Sequence, residues 1–131
     1  MLKRIDHVVI AVKDLKAATA IYEKQFGLKA TEPKDVPALG IRNVKLQLGN
    51  AFIELAEPTD PNGPVGKFVN EKGDGLYLIS IEVDSLKSSM ESLKSKGARL
   101  IGEDNAAKSG IVFVHPKSTH GALIQLMEKK S

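Results

Sequence analysis

The chain contains no cysteine and no tryptophan. With no thiol available, disulfides, thiolate metal centres and cysteine nucleophiles are excluded, and any metal would have to rest on imidazole and oxygen ligands. Rings are scarce throughout: two Tyr and four Phe, alongside three His, in 131 residues. That is too few for the aromatic stacking surface on which many nucleic-acid-binding proteins rely. The net charge of +3 reads as an evenly solvated lysine surface, not a clustered basic face. No nucleic-acid partner is expected, whereas a small anionic ligand is compatible with the charge. Nor does any run approach the roughly 18 consecutive apolar residues of a membrane span. Met1-Leu2-Lys3-Arg4 leads straight into a strand pattern, so the expectation is a cytoplasmic protein with no targeting segment and no membrane partner.

What is present suits a globular domain: 42% apolar and 27% charged residues, in a length that one compact domain can hold. The informative feature is a repeat. Ile5-Asp6-His7-Val8-Val9-Ile10-Ala11-Val12 has a counterpart 71 positions on, at Leu76-Tyr77-Leu78-Ile79-Ser80-Ile81-Glu82-Val83, where Ile10 meets Ile81 and Val12 meets Val83. The same offset brings Ala51, Ile53, Leu55 and Glu57 onto Ala122, Ile124, Leu126 and Glu128. One offset that works in two separated places points to a duplicated module. Module one spans 1–57, a linker 58–74 and module two 75–131. The mates that differ carry the chemical question: His7 faces Leu78, and Glu54 faces Gln125.

Residues 4–12 are apolar on both faces, as befits a strand with a helix on one side. Val8, Ile10 and Val12 face that helix, while His7, Val9 and Ala11 face the other way. Asp14 is a good N-cap, Leu15, Ala18 and Tyr22 recur at helical spacing, and Gly27 is the C-cap. Residues 28–32 read as a short strand and 33–40 as a loop. Val44–Leu48 alternates as a half-exposed strand, and Gly49-Asn50 makes a tight turn into a strand from Ala51 to Glu57. On that strand Ile53 and Leu55 share the helix side, with Phe52, Glu54 and Ala56 opposite. The linker is rich in Pro and Gly and holds a turn or two of helix around Val65, Phe68 and Val69. Module two repeats the plan: a strand at 76–83, N-cap Ser85, a helix with Leu86, Met90 and Leu93 on one face ending at Gly97, a strand near 99–102, a loop through Ser109, and strands near 111–114 and 122–128. Between these last two lies the polar turn His115-Pro116-Lys117-Ser118-Thr119-His120-Gly121. The fold class is α+β: two tandem βαβββ modules forming a cupped mixed sheet, with positions 7, 54, 78 and 125 converging in the cup, in a chain expected to form a homodimer.

Taken together, IDHVVIAVKDL (5–15), YEKQFGLKA (22–30), LGNAFIELAEP (48–58), GPVGKFVNEKG (63–73), IEVDSLKSSMESLKSKGARLI (81–101) and VFVHPKSTHGALIQL (112–126) resemble the methylmalonyl-CoA epimerase family. That family lies within the vicinal oxygen chelate superfamily, which also holds glyoxalase I and the extradiol dioxygenases. The likeness covers nearly the whole chain. The first motif is common to the superfamily, while GNAFIEL, the linker and HPKSTHG point to the epimerase branch. The resemblance implies a divalent metal held by His, Glu or Gln, His, and Glu, two ligands per module, and an acyl-CoA that chelates it. His7 and Glu54 match the first two positions. The third is Leu78 here, which has no donor, and the fourth is Gln125 in place of glutamate.

Epimerisation at C2 of such a substrate removes a proton alpha to a thioester and returns one to the opposite face. It needs a base, a conjugate acid and positive charge or donors for the enolate oxygen, which a Lewis-acidic metal supplies. The expected metal ligands are His7, Glu54 and Gln125. A set of imidazole, carboxylate and amide oxygen suits Co²⁺, Ni²⁺, Mn²⁺ or Zn²⁺. Glu54 is the expected catalytic residue, since a carboxylate set among Phe52, Ile53 and Leu55 needs a partner. His115, Lys117, Ser118 and His120 are expected to cradle the substrate carboxylate or the phosphates of CoA. Their other reading is a solvated hairpin tip. Two further functions stay open at this stage: another metal-dependent lyase or isomerase of the superfamily, and a metal-free small-molecule binding protein of the same fold.

Overall fold

The computed structural model describes residues 2–129. Its eight strands and four helices, among the described residues, follow one plan twice: strand, helix, then three strands. In the first pass these are β1 (Leu2–Ala11), α1 (Leu15–Phe26), β2 (Lys34–Val36), β3 (Ile41–Leu48) and β4 (Ala51–Pro58). A connecting helix, α2 (Pro64–Lys72), precedes the second pass: β5 (Gly75–Val83), α3 (Leu86–Ser95), β6 (Leu100–Ile101), a short α4 (Ala106–Ser109), β7 (Ile111–Val114) and β8 (Ile124–Met127). No helix is long and apolar enough to cross a membrane, among the described residues.

The described chain divides into two compact units. One runs from His7 to Tyr77, and the other combines the chain through Asp6 with the residues from Leu78 onward. The split falls inside β1 and inside β5.

In the unit from His7 to Tyr77 the strand order is β2-β3-β4-β1, with β1 and β4 parallel and the other pairs antiparallel. Asp14 ends the approach to α1 in an extended conformation, and its carboxylate accepts the Ala17 N–H at 3.0 Å, so the first turn is capped. Glu57, at the end of β4, accepts the Leu15 N–H at 2.9 Å. Gly27 takes the left-handed φ of 68° that closes the helix. The apolar stripe of α1 meets the sheet in a core of Val12, Leu15, Val44, Leu46 and Leu55, edged by Ile10, Ala18, Tyr22 and Ile53. Burial of each large aliphatic side chain contributes about 1.5–3 kcal/mol. The connecting helix buries Val65 and Val69. Gly66 lets the preceding loop pass, because a Cβ there would stand 2.3 Å from the Asp60 carbonyl oxygen.

The other unit has the order β5-β8-β7-β6, again with one parallel pair, β5 and β8. Its core is Val83, Leu86, Ala106, Val112, Val114 and Leu126, edged by Ile81, Met90, Leu93 and Ile124. Ser85 caps α3 through the Ser88 N–H, and Glu128 accepts the Leu86 N–H at 2.7 Å. The two units share one register. Val8↔Ile53, Val9↔Glu54 and Ile10↔Leu55 in one unit become Ile79↔Ile124, Ser80↔Gln125 and Ile81↔Leu126 in the other, and Glu57 and Glu128 make the same helix contact.

Two local readings are corrected. The strand expected at 28–32 is reduced to a single bridge, Ala30 to Leu46, and the edge strand is instead β2, inside the stretch read as loop. Pro33, which has no N–H to give a ladder, directly precedes it. The loop expected through Ser109 contains a 3₁₀ turn (Glu103–Asn105) and α4, held in place by Ala106, which is buried in the core.

Candidate active site

Strand periodicity places His7 on one side of β1 and Val8 and Ile10 on the other, where Ile10 edges the core against α1. In the parallel β1–β4 pair, His7 lies opposite Phe52 and Val9 opposite Glu54, so His7, Phe52 and Glu54 share the face turned away from α1. In the antiparallel β3–β4 pair, Lys45 lies opposite Glu54 and Asn43 opposite Ala56, which adds both to that face. The His7 and Phe52 rings stack at 4.4 Å with planes 7° apart. The Lys45 ammonium stands 5.0 Å from the Phe52 ring centre, within cation–π range.

Glu54 is the centre of this group. The Asn43 amide donates from Nδ2 to Glu54 Oε2 at 3.2 Å, and Asn43 is itself buried. The other oxygen, Oε1, is 3.9 Å from His7 Nε2, beyond hydrogen-bond range. The two side chains are 12% and 13% exposed, which strips most of their water while leaving them within reach of a small molecule. A carboxylate with one oxygen fixed and the other open beside an imidazole can accept a proton or hold a cation. Among the described residues, no group of three or more His, Asp or Glu side chains is gathered to hold a metal. The donor set in this unit fits two positions of a metal shell, one imidazole nitrogen and one carboxylate oxygen.

The remaining sequence-derived candidates lie in the other unit. Gln125 donates from Nε2 to Ser80 Oγ at 2.9 Å, its register partner across β5 and β8. Ser80 is fully buried and Leu78 is 6% exposed. His115 accepts the Lys117 N–H through Nδ1 at 3.0 Å, which puts the proton of the neutral ring on Nε2. Burial, with the charges of Arg99 and Lys117, holds this imidazole below its ordinary pKa. The Ser118 hydroxyl accepts the Arg99 N–H at 2.9 Å. Lys117 and His120 are exposed, and His120 adopts a left-handed φ of 56°. Nearby in the same unit, Arg4 bridges Asp6 at 2.8 Å and Glu82 at 3.1 Å, and Lys129 also reaches Asp6.

Asn43, Lys45 and Phe52 were absent from the sequence-derived site. Phe52 shares the Glu54 face by the parity of its own strand, and the other two follow from the Gly49-Asn50 turn. It sets Leu48 opposite Ala51, and counting back along β3 brings 45 and 43 to the Glu54 face.

The comparisons with known proteins agree on one relationship. The sequence profile of the Glyoxalase/Bleomycin resistance protein/Dioxygenase superfamily matches residues 6–114. The ethylmalonyl-CoA/methylmalonyl-CoA epimerase of Cereibacter sphaeroides is 34% identical over 131 residues, covering 96% of this chain and 98% of that one. Among solved structures, the methylmalonyl-CoA epimerase of Mycobacterium tuberculosis superposes with a TM-score of 0.85 at 32% identity, over 99% of this chain and 90% of that one. A methylmalonyl-CoA epimerase in complex with methylmalonyl-CoA and NH4+ superposes with a TM-score of 0.87 at 28% identity, over 100% and 97%.

Proposed function

This chain belongs to the methylmalonyl-CoA epimerase family of the Glyoxalase/Bleomycin resistance protein/Dioxygenase superfamily, and we propose that it inverts C2 of methylmalonyl-CoA or a close acyl-CoA, with Glu54 as the base. The observation that carries this reading is the state of the Glu54 carboxylate: largely desolvated, tethered at Oε2 by Asn43 and open at Oε1. In the forward step the C2–H bond breaks, its proton passes to Oε1, and its electron pair moves into the enolate of the thioester. A proton from a second acid then adds to the opposite face of C2, and the site resets when Glu54 releases its proton to solvent and solvent reprotonates that acid. A base held in this way avoids the reorganisation that a freely rotating carboxylate would need during proton transfer.

His7 and Glu54 would hold a divalent ion as two of its protein ligands. Asn43 occupies one of the roughly four lone-pair sites of the Glu54 carboxylate, leaving room for both an ion and a proton. Such an ion, when bound, supplies positive charge to the developing enolate oxygen. In the other unit Gln125, hydrogen-bonded through its amide nitrogen to Ser80, keeps its carbonyl oxygen as an acceptor but cannot move a proton. His115, with its proton on Nε2, and the exposed Lys117 and His120 offer donors to anionic groups of the acyl-CoA. The test is exchange of the C2 hydrogen of methylmalonyl-CoA with solvent deuterium, followed by NMR. Exchange accompanied by inversion is expected, and its absence from folded protein would remove the reading.

A further inference from the structure

Lys45 stands on the same face as His7 and Glu54, directly across the strand pair from Glu54. It is exposed, and among the described residues its ammonium makes no ion pair, contacting instead the ring of Phe52 at 5.0 Å. Arg42, the nearest basic residue along β3, has the opposite strand parity and pairs with Asp35 at 3.6 Å. Lys45 is therefore the positive charge that β3 presents beside the proposed base without a carboxylate of its own. The neighbouring Phe52, stacked on His7, gives its stem an apolar surface to lie on. A lysine in this setting is a compact charge with three donors and freedom to swing onto an anion.

We propose that Lys45 is a specificity-determining residue that binds the free carboxylate attached to C2 of the substrate. This inference rests on the epimerase reading. Proton removal beside a carboxylate places a second negative charge next to an existing one, and an ammonium across the strand from Glu54 offsets that repulsion. It also separates substrates that carry the C2 carboxylate from acyl-CoA thioesters that lack it. The same ammonium could meet a phosphate of CoA, and the two anions are separated by their chemistry. Methylmalonyl-CoA and propionyl-CoA share every phosphate and differ in the carboxylate.

The experiment is calorimetric binding of both thioesters to the full chain and to its Lys45→Met and Lys45→Arg variants. The wild type should bind methylmalonyl-CoA more tightly than propionyl-CoA. Lys45→Met should erase about tenfold of that preference, as expected for loss of one charge-assisted contact, with propionyl-CoA affinity held. Lys45→Arg should keep most of the preference. Equal weakening of both ligands would assign the lysine to a CoA phosphate and overturn the proposal, as would an unchanged preference in Lys45→Met. A wild type that binds with this preference yet exchanges no C2 hydrogen would sink the epimerase reading and leave the role of Lys45 standing. Failure to bind methylmalonyl-CoA would end both.

Discussion

Replacing Glu54 by Gln isolates the chemistry of the site from its architecture. The amide is close in size to the carboxylate, and its carbonyl oxygen can still accept the Asn43 amide N–H that now reaches Oε2 at 3.2 Å. What disappears is the charge facing His7 at 3.9 Å and the capacity to take a proton. The lost contact is beyond hydrogen-bond length and partly screened, so its contribution to stability is under about 1 kcal/mol. The loss in catalysis is larger. General-base assistance is worth at least roughly 10², or about 2.7 kcal/mol of barrier. Glu54→Gln should therefore slow C2 exchange of methylmalonyl-CoA by at least about a hundredfold, with a urea midpoint close to that of the wild type. Asn43→Ala should fall between the two, because it leaves the base in place and frees its orientation. The measurement is loss of the C2 proton signal in deuterated buffer, run beside urea denaturation of each variant. A folded Glu54→Gln protein that exchanges within a few-fold of wild type would show that the base lies elsewhere, and the tethered carboxylate would then be structural.

Three further outcomes follow from the geometry. Protein equilibrated with Co²⁺ should take up an ion that His7→Ala fails to retain, since the mutation leaves Glu54 as the one strong donor of the pair; equal uptake by both proteins, read by metal analysis, would exclude His7 as a ligand. Glu57→Ala and Glu128→Ala should each cost about 1 kcal/mol in denaturant unfolding, because each removes an anionic acceptor at the first turn of a helix, and unequal losses would argue against equivalent roles. His115 is held below its ordinary pKa by burial and by Arg99 and Lys117. The unfolded chain therefore takes up this proton first, and stability should decline as pH falls below about 6.5, with the part of that slope removed by His115→Gln identifying its source.

Much of this was legible because the duplication offers each claim twice. The alternation that put Ile53 and Leu55 toward the helix is mirrored by Ile124 and Leu126, and both pairs lie in or against their unit's core. The face shared by His7 and Glu54 needed only strand parity. Asn43 and Lys45 are hidden because the repeat matches at 5–12 and 51–57 do not include β3, and its apolar-polar alternation starts at Val44, one residue past Asn43. Their signal was present in the two-residue turn that fixes the β3–β4 register, and register decides which side chains meet. The segments at 34–36 and 103–109 escaped for a different reason. Neither has enough residues to display a period, and each is ordered by what it packs or pairs with: β2 by β3, and α4 by the burial of Ala106.

The two modules have kept the same hydrogen-bond frame while their face residues have parted. The register is preserved residue for residue from Val8↔Ile53 to Ile10↔Leu55 and from Ile79↔Ile124 to Ile81↔Leu126. Within that frame Val9 became the mate of Ser80, His7 of Leu78 and Glu54 of Gln125. The substitutions are coupled by burial. A carboxylate at 125 beside the fully buried Ser80 would have one hydroxyl to answer it, whereas an amide donates to that hydroxyl at 2.9 Å with no charge to desolvate. With Leu78 supplying no polar atom, a neutral residue at 125 is the less costly choice. In the first module the Asn43 amide donates to Glu54 at 3.2 Å, the His7 ring stands 3.9 Å from it and Lys45 lies opposite it in the β3–β4 register. That is why the carboxylate can be retained there and why the proton chemistry is assigned to it. Restoring the second module by Leu78→His with Gln125→Glu should consequently work only as a pair. Gln125→Glu alone should lower stability, since it replaces the amide that donates to the buried Ser80 by a partly desolvated charge. The double variant should recover stability and gain affinity for Co²⁺, and a single Gln125→Glu protein as stable as the wild type would refute this coupling.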